Sequence, residues 1–172
     1  IASIIQTRIN QVAEFATPSK DGNSVGFMIR LKDRDAMPSD SDLEYIQQLY
    51  QFVVDCGDNR IAHDTNFESF LRMLVRDSLT YDQACFEVVR NRKNDVAGFI
   101  NVDSSTIRKT KLTKTEKDAG KRDVNKPLYV QVMNNKTTAE FKANELCFGI
   151  RRPRSDVRFY GYGYPELQEC VQ

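Results

Sequence analysis

Apolar and polar positions along the chain change period several times, and each change marks an element. Ile5, Ile9, Val12 and Ala16 recur at helical spacing, which predicts an amphipathic helix over residues 3–16, ended by Thr17-Pro18. Its opposite face carries Gln6, Arg8, Asn10 and Gln11. Val25, Phe27, Ile29 and Leu31 then alternate with Gly26, Met28 and Arg30, the pattern of a half-buried strand. A second helix is expected from Ser41, where Ser41-Asp-Leu-Glu44 reads as a capping box, with Leu43, Ile46, Leu49 or Tyr50, and Val53 on its core face and Gly57 as its stop. A third follows the box Thr65-Asn-Phe-Glu68; its stripe is Phe67, Phe70, Leu71, Leu74 and Val75, with Arg72, Arg76 and Asp77 facing water.

From Ala84 the period becomes two. Ala84, Phe86 and Val88 alternate with Cys85, Glu87 and Val89; residues 91–95 make a turn, and Val96–Val102 returns as a hairpin. A short strand is expected over Thr106–Lys109. A second hairpin pairs Leu128–Met133 with Thr137–Phe141 around Asn134-Asn135-Lys136, and Leu146–Ile150 is a last strand. Residues 111–127 lack periodicity and read as an exposed loop. In Gly161-Tyr-Gly163-Tyr-Pro165 the glycines allow a sharp corner, and proline suits the first position of a helix over 165–172, because its missing N–H would be unpaired there anyway. Helices followed by antiparallel hairpins define an α+β class, expected here as a single domain over 1–172 whose final helix runs off the end of the sequence.

Composition adds little to this picture. The chain has 172 residues, 40% hydrophobic and 28% charged, and a net charge of +1, which selects no class of partner. Local charge is less even. Thr106–Lys126 holds eight Lys or Arg against three acidic residues (net +5), and Asp33–Glu44 holds five acidic residues against Arg34 (net −4). The acidic run is accounted for by a helix N-terminus, which carboxylates stabilise. Cys56, Cys85, Cys147 and Cys170 are too far apart for a metal knuckle or a redox pair and read as reduced structural thiols of an intracellular protein. No run approaches the ~20 apolar residues of a membrane span. The first residue is Ile, not Met, and the last residues fall inside the expected helix, so the sequence reads as an internal piece of a longer protein.

Candidate chemistry is sparse. His63 is the lone histidine, in Ala-His-Asp before the third helix, and lacks a GxSxG partner; a polar helix start explains it more simply than a hydrolase. There is no GxxxxGK[ST] and no HExxH. Asp77, Asp82 and Glu87 are separated by a helix-to-strand transition, and nothing fixes them as an acid/base pair. No catalytic residue, metal site or cofactor is assigned. The tyrosines of the corner together with Arg151, Arg152, Arg154 and Arg158 could contact nucleic acid or a neighbouring subunit, although aromatic side chains at a turn more often pack against their own domain.

Several stretches, in order, resemble the portal proteins of tailed bacteriophages. They are Leu74–Arg92 (Leu-Val-Arg-Asp-Ser-Leu-Thr-Tyr-Asp-Gln-Ala-Cys-Phe-Glu-Val-Val-Arg-Asn-Arg), Phe99–Arg108, Tyr129–Val132, Phe141–Arg151 and Tyr162-Gly-Tyr-Pro-Glu-Leu167. The likeness covers residues 66–169 well and 1–65 loosely; Pro165 stands where the family often has serine. The resemblance implies a non-enzymatic subunit of a ring, commonly of twelve copies, at the head–tail vertex. Through that ring double-stranded DNA is packaged by the terminase motor and later ejected. It further implies a fragment of the outer wing whose last helix leads toward a stem, contacts with capsid and head–tail adaptor proteins, no membrane, and a place in the virion after assembly in the host cytoplasm. The alternative reading is a nucleic-acid-binding module using the Lys111–Lys126 loop and the Arg151–Arg158 cluster.

Overall fold

A computed structural model of the chain describes residues 2–19, 23–58, 66–165 and 168. It is α+β, as expected. Helices α1 (Ala2–Ala13), α2 (Asp40–Val54) and α3 (Phe67–Tyr81) precede strands β1 (Gln83–Arg90), β2 (Val96–Val102) and β3 (Ile107–Lys109). A short helix α4 (Lys114–Asp118) follows, then β4 (Tyr129–Met133), β5 (Lys136–Phe141) and β6 (Leu146–Ile150). Single 3₁₀ turns lie at Glu14–Ala16 and Val157–Phe159. The strands form two three-stranded sheets, ordered β2-β1-β6 and β3-β4-β5. The chain groups into two compact units, Ile1–Arg76 with Arg90–Ile100, and Asp77–Val89 with Asn101–Gln172.

In the first unit Ile9 and Ala16 of the expected helical face are buried and Ile5 and Val12 half-buried, and Ala13, which the spacing did not single out, is buried beside them. Arg72 of α3 donates to Asn10 of α1 at 2.7 Å, and Arg76 donates to Gln6 at 3.2 Å, so the polar face of α1 is partly engaged rather than wholly solvated. Aromatic rings fill the remainder: Phe27 lies 5.6 Å from Tyr50 and 5.7 Å from Phe67, and Phe99 lies 6.2 Å from both Phe52 and Phe70. Rings at these separations prefer offset or edge-on contacts.

Three local expectations change here. The cap of α2 is Ser39, not Ser41: the Ser39 hydroxyl accepts from the Asp42 amide and the Asp42 carboxylate accepts from the Ser39 amide, a complete box two residues earlier. Both patterns fit the sequence, and the earlier one lengthens the helix. Leu43, expected in the core, is 51% exposed. Residues 25–31 form no strand. Phe27, Ile29 and Leu31 are half-buried while Met28 and Arg30 are exposed, so the alternation reports a buried side from Phe27 onward; Val25, expected on that side, is 54% exposed, and the segment finds no sheet edge. Its hydrogen bonds go to Thr17 and Ser19 through Phe27, and from the Ile29 amide to the Tyr50 hydroxyl at 2.7 Å. Thr65, the expected cap of α3, lies outside the described residues, as do His63 and Cys170; Asn66 caps the helix by accepting from the Ser69 amide at 2.8 Å.

The second unit has a core of Cys85, Val102, Ile107, Phe141 and Leu146, with Tyr129, Ala139 and Phe148 packed against it. Each large apolar side chain buried in this way contributes about 1.5–3 kcal/mol. β1 pairs antiparallel with β6, Gln83 opposite Ile150 through Glu87 opposite Leu146. This register turns Gln83 and Cys85 inward. β4 and β5 join through Asn134-Asn135, both with positive φ (51° and 61°), the geometry that a two-residue hairpin loop demands and asparagine tolerates. The Cys56 and Cys85 thiols are buried and pushed up to about 11, so both are protonated, inert side chains at neutral pH.

Residues 111–127 contain more structure than their composition promised. Thr113 and Glu116 form a capping box for α4, and the Glu116 carboxylate accepts from the Thr113 amide (2.8 Å), the Thr113 hydroxyl (2.7 Å) and the Asp123 amide (3.0 Å). The bonds from Thr113, and then that from Asp123, hold its carboxyl down at about 2. Because the folded value lies below the ordinary value of about 4.3, the stabilisation is complete above that pH and is lost as pH falls toward 2. Titration followed by NMR is therefore expected to shift the Thr113 and Asp123 amides only as pH approaches about 2. Glu116→Gln should remove this titration and loosen the segment at neutral pH; unchanged amide shifts in that variant would refute the assignment.

Among the described residues no helix is long and apolar enough to cross a membrane. The helix expected from Pro165 lies outside the described residues apart from Gln168, whose amide donates to the Pro165 carbonyl at 3.1 Å.

Candidate functional site

The candidate residues near the chain's end converge on the point where α3 passes into β1. Asp82 occupies that point in a left-handed conformation (φ 57°) and is wholly buried. Aspartate is among the few residues that adopt this conformation readily, and here it reverses the chain between helix and strand. Its carboxylate accepts from Arg152 Nε at 3.2 Å and lies 3.5 Å from Arg151 Nε; the Tyr164 amide also donates to it, at 3.4 Å. Its carbonyl accepts from the Arg151 amide at 3.0 Å. Next to it, the Gln83 side chain accepts from the Gly163 amide at 3.0 Å and donates to the Ser104 carbonyl at 2.8 Å. The Ser104 hydroxyl in turn donates to Asp77 at 2.7 Å. Four separated stretches are thereby held together by charge-assisted bonds, the stronger class.

Of the four arginines singled out in the sequence, two therefore meet at Asp82. Arg154 lies over the Tyr164 ring at 4.7 Å, a cation–π contact. Arg158 forks onto Asp156, at 2.9 Å from Nε to Oδ2, and this pairing draws the Asp156 carboxyl down to about 2. The glycine corner closes on Lys109 of β3 and on the junction of α3 with β1. Gly161 has φ 74°, and Lys109 Nζ donates to its carbonyl at 2.6 Å. The Tyr162 hydroxyl accepts from the Lys109 amide at 2.7 Å, while the Lys109 ammonium lies 5.1 Å from the Phe148 ring centre. Gly163 sits directly against the backbone of Tyr81 and Asp82; a Cβ there would come within 2.6 Å of the Asp82 carbonyl carbon. Pro165 ends the described corner.

The three carboxylates considered as chemistry stand in different surroundings: Asp77 accepts from Ser104, Asp82 accepts from Arg152, and the Glu87 carboxyl is raised by burial and by nearby Glu145. Among the described residues no cluster of three or more His, Cys, Asp or Glu is arranged to hold a metal. The residue that sequence reasoning passed over is Asp82. It was noted as one acid among three; its only local signal is its place at the helix-to-strand change. Its partners, from Arg151 to Tyr164, lie 69 to 82 positions further on.

No family model matches the chain. It is 39% identical over 173 residues to a "Probable portal protein" of Staphylococcus phage Twort, covering 99% of this chain. It is 36% identical over 171 residues to a "Probable portal protein" of Enterococcus phage phiEF24C, again across 99% of this chain. The resemblance to phage portal proteins is shown. It extends through residues 1–65, which the ordered motifs matched only loosely. The portal-like chain spans about 29% of the length of each of these curated relatives.

Proposed function

We propose that this chain is a structural, non-catalytic segment of a phage portal subunit, part of a ring at the head–tail vertex through which double-stranded DNA is packaged and ejected. The observation that carries the proposal is the match across 99% of the chain to two proteins named as portal proteins. In this reading the wing-like segment hands the chain on toward a stem at the Gly161–Pro165 junction. Partners are further copies of the subunit, commonly twelve in all, together with the terminase motor, capsid and head–tail adaptor proteins. The location is the virion, after assembly in the host cytoplasm. The Asp82 clasp fits a part that must stay rigid under load, since it ties a helix end to a distant stretch through charge-assisted bonds.

The test is negative-stain microscopy with mass measurement of the native chain that carries this sequence. Ring-shaped particles are expected; a monomer at every concentration tried would overturn the proposal. A second reading, a nucleic-acid-binding module, draws support from the exposed Lys111, Lys114, Lys117, Lys121 and Lys126. The arginines support it less, because Arg151 and Arg152 are turned to Asp82, and Arg158 to Asp156. DNA affinity that falls steeply with salt and disappears when these lysines become alanine would favour that reading.

A further inference from the structure

Within the second unit, residues 152–164 leave the body and return to it at one point. Arg152 Nε donates to Oδ1 of Asp82 at 3.2 Å, and the Tyr164 amide donates to Oδ2 of the same carboxylate at 3.4 Å. Beside it the Gly163 amide donates to the Gln83 side chain at 3.0 Å. Both ends of the excursion therefore rest on two adjacent residues that are themselves buried, Asp82 and Gln83. Between its ends the stretch packs on itself. The Phe159 ring lies 4.6 Å from the Tyr164 ring, and the Arg154 guanidinium lies over that same ring at 4.7 Å. Asp156 accepts from the Arg158 amide at 2.9 Å, Tyr160 turns the chain with φ 51°, and the Tyr162 amide donates to the Phe159 carbonyl at 2.8 Å. A compact surface stretch with adjoining ends and its own internal packing is an Ω-loop, a form that frequently carries function.

This loop is fastened by polar bonds far more than by apolar burial. No residue from 151 to 165 is buried, and Val157 and Tyr160 at the tip are both 82% exposed. A segment with little buried apolar surface opens at a lower cost than the core beneath it. We propose that residues 152–164 are a latch that opens and closes as one unit on Asp82, while the core of Cys85, Ile107 and Leu146 stays folded. The two ends are coupled because they share a carboxylate: withdrawing Arg152 leaves that buried charge less compensated and weakens the hold on Tyr164. They also hold each other, since Arg154 stacks on Tyr164. Closed, the latch fixes the direction in which the chain passes Pro165; open, it frees the residues beyond to leave in another direction. The latch is a property of these bonds and holds whether or not the subunit joins a ring.

Hydrogen exchange of the native chain, read by mass spectrometry on peptides covering residues 153–160, 161–168, β1 and β4, tests it. In the wild type the two loop peptides should exchange at similar rates, and faster than the β1 and β4 peptides. Asp82→Asn should accelerate both loop peptides by about tenfold, the size expected when a charge-assisted bond is lost, with β1 and β4 still the slower. Arg152→Ala carries the sharper expectation: exchange over 161–168 should rise with that over 153–160, although Arg152 is bonded to neither Gly163 nor Tyr164. Acceleration confined to 153–160 in that variant would show two independent ends and overturn the proposal. So would loop peptides as slow as β1 and β4 in the wild type, which would make the loop part of the core. If Asp82→Asn loses protection throughout the chain, Arg152→Ala, whose side chain is 38% exposed, decides the point alone.

Discussion

Asp82→Ala should lower the thermal midpoint by about 5–10 °C, the largest effect expected of any single charged residue here. Breaking a buried ion pair from one side ordinarily costs about 3–5 kcal/mol. The Arg151 and Arg152 side chains are 33% and 38% exposed, so water can partly replace the lost carboxylate. That discounts the cost to about 2–3 kcal/mol, and a domain of this size loses about 2–4 °C for each kcal/mol. Asp82→Asn separates two causes. Asparagine keeps the left-handed backbone and an acceptor but removes the charge, so it should fall roughly half as far. Calorimetry decides the point: a drop below about 2 °C for the alanine variant would mean that the clasp is dispensable.

The second large effect belongs to the glycine corner. Gly163→Ala is expected to cost about 3 kcal/mol, at the upper end of overpacking, because its Cβ would meet the Tyr81 carbonyl oxygen and the Asp82 backbone, none of which is a flexible side-chain end. Relief would require moving the helix-to-strand junction or breaking the Gly163–Gln83 bond of 3.0 Å. Gly161→Ala is the matched control. There the new methyl would meet only Lys109 Nζ, at 3.0 Å, which can swing away, leaving chiefly the left-handed backbone penalty of about 1 kcal/mol. Urea midpoints of the two variants should therefore differ clearly. If Gly163→Ala were no worse than Gly161→Ala, the close approach would not be what holds the corner.

The two glycines show how two identical residue types, two positions apart, acquire different jobs. Read along the chain, both allow a turn. In the fold, Gly161 supplies a positive φ, whereas Gly163 supplies the absence of a side chain where two backbones touch. The first requirement is local and legible. The second depends on Tyr81 and Asp82, some eighty positions earlier, and no spacing rule reports it.

Helices, hairpins and their order were set by properties that act within a few residues: apolar period, turn chemistry and caps. The Asn134-Asn135 loop is the clearest case, since a two-residue hairpin needs positive φ and asparagine accepts it. The same locality explains the misplacements. Ser39 and Ser41 offer equivalent capping patterns, and the alternation of residues 25–31 reports which side is buried but not whether a partner strand exists. Tertiary structure alone decided what the charged residues do. Arg151, Arg152 and Asp82 are unremarkable in sequence and become a clasp only when β6 pairs with β1, because that register brings the residues after Ile150 beside the start of β1. Hydrophobic pattern is written into each segment, and the pairing of distant charges exists only once the segments have met.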